Sequence, residues 1–134
     1  MSDRFNGSIA LGGQLTREQY DRCSELAKDC FEFEGGFDED GSARFYECRS
    51  ENFKDLIEYC KANSIALCLY WDGDLGFDPI VQYWIAGHFH EYTTTSEGDI
   101  VVMVSELLQN PKMTVEEYLE TLGIPTFPTF SIAE

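Results

Sequence analysis

An apolar run in the middle of the chain constrains the fold more than any other feature. Residues 65–71 read IALCLYW, with no charged side chain. A run of this length and composition is typical of a strand that is buried in the interior of a sheet. Such a strand needs other strands along its edges and further elements over its faces. The sequence therefore predicts a sheet with Ile65–Trp71 at its centre.

Two helices are predicted before this central strand. Thr16 and Gln19 have the spacing of a capping box and stand at the start of an apolar pattern of helical period. A second helix is predicted from Ser50, its N-cap residue, to about Asn63. Each helix follows a predicted strand. The strand before the first helix is Phe5–Leu11, ended by Gly12 and Gly13, and the strand before the second helix is Ala43–Cys48.

The chain after Trp71 predicts a hairpin and a last helix. Residues 80–95 are rich in aromatic and β-branched side chains and favour one strand with a bulge or bend at Gly87. We expect this strand to pair with Ile100–Val104. The last helix is predicted to open with the capping box of Thr114 and Glu117 and to stop at Gly123.

The resulting order of elements is β-α-β-α-β-β-β-α, which predicts an α+β fold with a mixed sheet of about five strands and helices mainly on one face. A chain of 134 residues has the commonest size of a single domain. We expect that domain to comprise residues 1–124. Residues 125–134, with the motif PTFPTF, are predicted to form an extended tail that is either docked by its Phe residues or free.

Acidic residues dominate the charge of the chain. There are 25 Asp and Glu residues against 9 Lys and Arg residues, a net charge of −16, and residues 62–111 contain no Lys or Arg. A nucleic-acid ligand is excluded, since binding phosphates requires clustered basic side chains. Two interpretations stay open: the acidity only keeps the protein in solution, or it faces a cationic partner.

The acidic residues around the first helix have a regular spacing. On a helical wheel they form one column opposite the apolar face, and the column continues beyond the helix. Arg17, Arg22 and Lys28 flank it and are expected to neutralise it in part, for example through an ion pair of Glu18 with Arg22. The predicted partner-binding residues are Glu18, Asp21, Glu25, Asp29, Glu32, Glu34, Asp38, Glu39 and Asp40.

A metal site or hydrolytic centre is the alternative prediction for function. Asp72 and Asp74 follow the central strand, where two carboxylates can hold Mg²⁺. His88 and His90 alternate on a predicted strand, so both rings would project from one face and could bind Zn²⁺. The Asp72 loop lacks the ligand spacing of a calcium loop, and a further zinc ligand is missing. The sequence therefore favours a protein without a catalytic residue, metal or cofactor.

The cysteines and the N-terminus indicate the compartment. Five cysteines occur, and none of them forms a C-x-x-C motif. The first residues contain no basic segment followed by an apolar run, as a signal peptide would. We expect a cytoplasmic protein with buried free thiols.

Three segments carry a resemblance that spans most of the chain. GGQLTREQY, FKDLIEYCKANSIAL and the Phe77-Asp78-Pro79 turn resemble uncharacterised small acidic proteins of phages and mobile elements. That resemblance implies an anti-restriction or anti-CRISPR inhibitor of the DNA-mimic type, and it transfers no residue role.

The spacing of the column agrees with such mimicry. Carboxylates three or four residues apart on a helix stand about 5–6 Å apart, and B-DNA carries one charge per ~1.7 Å of axis. We therefore expect a non-enzymatic inhibitor of a cationic, nucleic-acid-binding protein. A second alternative is a protein–protein assembly module whose acidity only solubilises it.

Overall fold

The structure is a computed structural model that describes residues 5–28, 37–73, 78–95, 99–101 and 123–133, together with residues 114, 117 and 120. Within these residues a short 3-10 turn, Ser50–Phe53, leads directly into the second helix. The helices and strands of this part of the chain are β1 (Phe5–Leu15), α1 (Arg17–Ala27), β2 (Ser42–Cys48), α2 (Lys54–Ala62), β3 (Ala66–Trp71), β4 (Ile80–Ile85), β5 (His88–Thr93) and β6 (Phe130–Ile132).

The strands form one mixed sheet in the order β2-β1-β3-β4-β5. All neighbours in that order are antiparallel, whereas β6 pairs with the end of β1 in parallel. The apolar run predicted as the central strand forms β3, which lies between β1 and β4. The predicted α+β class and the mixed sheet are therefore confirmed.

The core lies between one face of the sheet and the two helices. Strand alternation places Ile9 opposite Leu69 and Leu11 opposite Leu67, and all four side chains are buried. Three aromatic rings from different elements meet beside them, with centroid distances of 4.9 Å between Phe45 and Phe53 and 5.0 Å between Phe45 and Trp71. The helices complete the core with buried apolar residues at helical spacing: Cys23, Ala27, Leu56 and Cys60.

Residues 80–95 form two strands and a turn, so the prediction of one bent strand was wrong. Ile85 pairs with His88, and the two residues between them, Ala86 and Gly87, both have positive φ angles of 51° and 81°. Positive φ at both central residues is the geometry of the tight two-residue turn that suits the twist of a hairpin. The usual sequence of this turn is Asn-Gly. Because Ala86 stands in the place of the asparagine, the sequence did not indicate the turn.

The limits of three predicted elements also change. β1 runs to Leu15 instead of ending at Leu11, because β6 pairs with its last residues. The first helix begins as predicted: the Thr16 hydroxyl accepts the Gln19 N–H, and the Gln19 side chain accepts the Thr16 N–H. Ser50 is not the N-cap of an α-helix, since Arg49 caps the 3-10 turn and α2 starts at Lys54.

The C-terminal predictions are only partly covered by the described residues. Ile100 forms an isolated bridge with Thr94, and the Val101 N–H donates to the Thr93 carbonyl at 2.9 Å. Residues 102–104 of the predicted strand lie outside the described residues. Thr114 accepts the Glu117 N–H at 3.1 Å, as the predicted capping box requires, but most of that helix also lies outside them.

The tail is docked. Phe127 packs on Tyr83 and Phe130 packs on Tyr20, both at 6.0 Å between ring centroids. No helix in the described ranges is long and apolar enough to cross a membrane.

Candidate functional site

The described part of the acidic column forms one exposed surface on α1. Glu18, Asp21 and Glu25 are exposed, while Cys23 and Ala27 on the opposite side are buried. The three carboxylates, together with Arg22 and Tyr59 of α2, line an open groove of about 580 Å³ between the helices. The predicted members Asp29, Glu32 and Glu34 lie outside the described residues.

Arginine side chains of the same helix neutralise most of this surface. Arg17 Nε lies 3.4 Å from an Asp21 carboxylate oxygen, and Arg22 Nη1 lies 3.3 Å from one of Glu25. The structure thus pairs Arg22 with Glu25, where the sequence suggested Glu18. With Lys28 included, residues 17–28 contain three positive and three negative side chains, so their charges cancel.

The second helix is balanced in the same way. The helix α2 contains two basic residues, Lys54 and Lys61, and two acidic residues, Asp55 and Glu58. All four are exposed. Exposed ion pairs and balanced charges of this kind create little field beyond the first shell of solvent, because water and salt screen them. The described helical layer therefore contributes little to the net charge.

The acidic turn, residues 38–40, differs from the helices. Asp38, Glu39 and Asp40 are all exposed, and within the described residues none of them has an ion-pair partner. Asp40 accepts hydrogen bonds from the Ser42 hydroxyl at 2.6 Å and the Ser42 N–H at 3.1 Å. These bonds favour the ionised carboxylate and lower the pKa of Asp40. Asp40 thus stays ionised at neutral pH.

Contacts with α1 and with β2 fix the acidic turn in place. The Tyr20 hydroxyl in the first turns of α1 donates to the Phe37 carbonyl at 3.2 Å, and the two rings pack at 6.0 Å. The Gly41 N–H donates to the Asp38 carbonyl at 3.0 Å. These contacts hold the acidic turn against α1 at Tyr20, and the continuation of the α1 column into the turn stays a prediction.

A second group of exposed carboxylates in the described part of the chain lies towards the β5 edge of the sheet. β3, β4 and β5 contain no Lys or Arg, and the exposed carboxylates of Asp78, Glu91 and Asp99 belong to this region. Asp72 is an exception, because its carboxylate forms an ion pair with Arg44 of β2 at 3.0 Å.

The alternative metal residues that the structure describes lie apart. His88 and His90 do project from the same face of β5, as predicted, and the His90 ring stacks on Tyr92 with an interplanar angle of 8°. Asp72, in contrast, lies one residue beyond the level of Thr93, about 13 Å along the strands from His90. No group of three potential metal ligands occurs within the described residues, and Asp74 lies outside them.

The described cysteines lie in positions suited to packing. Cys23, Cys48 and Cys60 are buried free thiols, and Cys68 is partly buried. A hydrogen bond with Cys23 and burial both raise the pKa of Cys60. A thiol held in its protonated form is a poor nucleophile, so Cys60 is unsuited to nucleophilic catalysis.

One set of residues was missed by sequence reasoning. Gln82, Trp84, Phe89 and Glu91 lie on the helix-facing side of β4 and β5, beyond the area that α1 and α2 cover. We call these four residues the aromatic shelf. Trp84 and Phe89 are a cross-strand pair with ring centroids 5.0 Å apart, and Phe89 is 50% exposed. Only the hairpin turn at Gly87 brings them together, and the sequence did not reveal that turn.

Comparisons with known proteins leave the interpretation to this geometry. No protein-family model matches the chain, no curated protein matches it, and no solved structure matches it.

Proposed function

We propose that the protein is a non-enzymatic inhibitor that binds the nucleic-acid-binding surface of a cationic protein partner, in the manner of anti-restriction or anti-CRISPR proteins that imitate DNA. The observation that carries this proposal is the acidic turn: three exposed carboxylates without a described basic partner, held against α1 through Tyr20. A partner with a Lys- and Arg-lined cleft would form with them the ion pairs that the chain itself does not supply.

The acidic turn contributes more to such binding than the α1 column. Glu25 and Asp21 already have arginine partners, so a cationic cleft would have to replace existing ion pairs to gain contacts with them. Asp38 and Glu39 have no such partner among the described residues and are ready to form new pairs. Long-range attraction follows the net charge of a region, which is negative at the turn and close to zero over residues 17–28.

Capture of the partner and competition with DNA test the proposal. The full chain is immobilised and exposed to a bacterial lysate treated with nuclease, and the bound proteins are identified by mass spectrometry. The partner should be a nucleic-acid-binding protein that duplex DNA releases from the resin. The purified partner should lose DNA binding when the protein is added. Capture that ignores duplex DNA, or a partner whose DNA binding is unchanged, would contradict the proposal.

Matched charge variants locate the contact surface. The double variant Asp38→Asn/Glu39→Gln removes two charges from the acidic turn and leaves Asp40, which holds the turn, unchanged. The control Asp55→Asn/Glu58→Gln removes two exposed charges from α2. We expect the first variant to weaken partner binding about tenfold, as two lost charge pairs would, and the second to change it less than about twofold. Equal losses would refute a localised surface.

A metal screen separates the rival interpretation. Stoichiometric metal in the purified protein, with a thermal shift that depends on His88 and His90, would replace the proposed function by that of a metal protein. If the protein is instead an assembly module whose acidity only solubilises it, partner binding should hardly change with salt.

A further inference from the structure

The aromatic shelf presents a carboxylate whose orientation is fixed from the core. The indole Nε1–H of Trp71 donates to Gln82 Oε1 at 2.8 Å, and Gln82 Nε2–H donates to Glu91 Oε1 at 2.9 Å. An indole N–H can only donate, so the oxygen of Gln82 must face Trp71 and its amide group must face Glu91. Trp71 is buried at 7% exposure, which anchors this chain of hydrogen bonds.

Aromatic faces stand next to that carboxylate. Glu91 and Phe89 are two residues apart on β5 and project from the same face, about 7 Å from each other. Trp84 pairs with Phe89 across the strands and packs its other side against the core. A planar cation placed between the Glu91 oxygens and the exposed Phe89 ring would lie within contact distance of both.

The shelf has no positive charge of its own. β3, β4 and β5 contain no Lys or Arg, and Asp78 is a further exposed carboxylate at the start of β4. An exposed phenylalanine, packed on a half-buried tryptophan and next to an oriented carboxylate, is complementary to arginine in particular. The guanidinium group stacks on aromatic faces and binds carboxylates through two parallel hydrogen bonds, whereas the ammonium group of lysine is a compact, strongly hydrated charge.

We propose that the aromatic shelf is a second docking surface, which receives an arginine side chain of the cationic partner between Phe89 and Glu91. This proposal rests on the proposed function, because the arginine belongs to the same partner. It adds recognition of one side-chain type to the attraction of the acidic turn, and it places a contact at the β5 edge of the sheet.

Two short peptides test this proposal on the full chain. Hexa-arginine and hexa-lysine carry equal charge, so a purely electrostatic surface binds them alike. We expect hexa-arginine to bind about three- to fivefold more tightly at low salt, as an exposed cation–π contact supplies. The fluorescence change on binding should come from Trp84, since the other tryptophan, Trp71, is buried. The variant Trp84→Phe should therefore abolish most of that change.

Variants of the shelf and matched controls decide the outcome. Phe89→Ala and Phe89→Leu should both remove the preference for hexa-arginine, and the leucine variant keeps an apolar side chain if the alanine variant folds poorly. Glu91→Gln should weaken hexa-arginine binding about fivefold. Tyr46→Ala removes an exposed aromatic side chain at the opposite edge of the sheet, and Glu58→Gln removes a carboxylate from α2. Both controls should preserve the preference.

The possible failures can be told apart. If both peptides bind and neither responds to Phe89 or Glu91 variants, the docking surface is refuted and the proposed function stands. If the preference for arginine disappears equally in Tyr46→Ala, the shelf is also refuted. If neither peptide binds at low salt, the cationic partner itself is refuted together with the shelf.

Discussion

Trp71 shows how one buried residue determines properties at the surface. Its ring packs on Phe45 and Phe53 in the core at centroid distances of 5.0 and 5.7 Å. Its indole N–H leaves the core and orients Gln82, which in turn orients Glu91 on the exposed shelf. A residue needed for packing therefore also orients a carboxylate at the surface, because its buried N–H group must find an acceptor.

Two glycines with similar backbone geometry provide a matched prediction about the tail. Gly41 and Gly87 have φ angles of 79° and 81°, so alanine is strained at either position. A Cβ atom at Gly41 would lie 2.5 Å from the Phe130 ring, whereas a Cβ at Gly87 meets nothing within 4 Å. We expect urea denaturation to show a loss of about 1 kcal/mol for Gly87→Ala and about 2–4 kcal/mol for Gly41→Ala. Equal losses would mean that Phe130 does not pack against Gly41.

Burial of Cys68 predicts a specific sensitivity to alkaline pH. Burial raises the pKa of its thiol to about 12, whereas the thiol of the unfolded chain ionises near pH 8.5. The stability that this difference contributes is complete below about pH 8.5 and is lost as pH rises toward 12. Between pH 8 and pH 10 the free energy of unfolding should fall by about 1–2 kcal/mol through this group alone.

The variant Cys68→Ala isolates that contribution. Denaturation at pH 8 and pH 10 gives the loss within each protein, so that any change of packing caused by the substitution cancels. Tyr92, whose pKa burial also raises, remains in both proteins and cancels as well. Burial raises the pKa of Tyr83 too, and the neighbouring Cys68 raises it further, so the difference between the two proteins reports Cys68 together with its effect on Tyr83. An identical alkaline loss in the variant and the parent would contradict the prediction.

At the scale of elements, strong local patterns were predictive and weak ones were not. The apolar run around Leu67 has one structural solution, and the capping box of Thr16 and Gln19 defines a helix start by its own hydrogen bonds. The Ala86-Gly87 turn lacks the usual Asn-Gly sequence, so the hairpin was read as a single strand. β1 extends to Leu15 because a strand from the far end of the chain pairs with it, and no local pattern contains that information.

The candidate site was predictable in composition and less so in arrangement. The spacing of Glu18, Asp21 and Glu25 correctly placed them on one side of α1. Which carboxylates are paired depends on rotamers of Arg17 and Arg22, which can reach residues three or four positions away in either direction. Predicting the aromatic shelf would have required the register of β4 on β5. That register follows from the Ala86-Gly87 turn, which the sequence did not predict.

At the scale of the whole molecule, the unbalanced negative charge of the described residues lies outside the two helices that cover the core. The described helices α1 and α2 are balanced, whereas the acidic turn and the β3–β5 region carry acidic residues without matching basic ones. Self-repulsion among such charges opposes folding, and a net charge of −16 makes it substantial. Among the described residues, the acidic turn and the exposed carboxylates of Asp78, Glu91 and Asp99 are two places where the proposed cationic partner would relieve this repulsion.

Salt should therefore act in opposite directions on folding and on binding. Raising NaCl from about 20 to 200 mM shortens the Debye length to about 7–8 Å. This relieves self-repulsion, so the urea midpoint of the free protein should rise. The same change should weaken partner binding by at least about tenfold, because it screens the attraction.

The double variant Asp38→Asn/Glu39→Gln should reduce both responses, since it removes charges that repel their own chain and attract the partner. The control Asp55→Asn/Glu58→Gln should leave the response of binding unchanged. If salt stabilises the free protein but leaves partner binding unchanged, the acidity only solubilises the protein. Acidity that is functional requires both responses, with opposite sign and with the same dependence on the acidic turn.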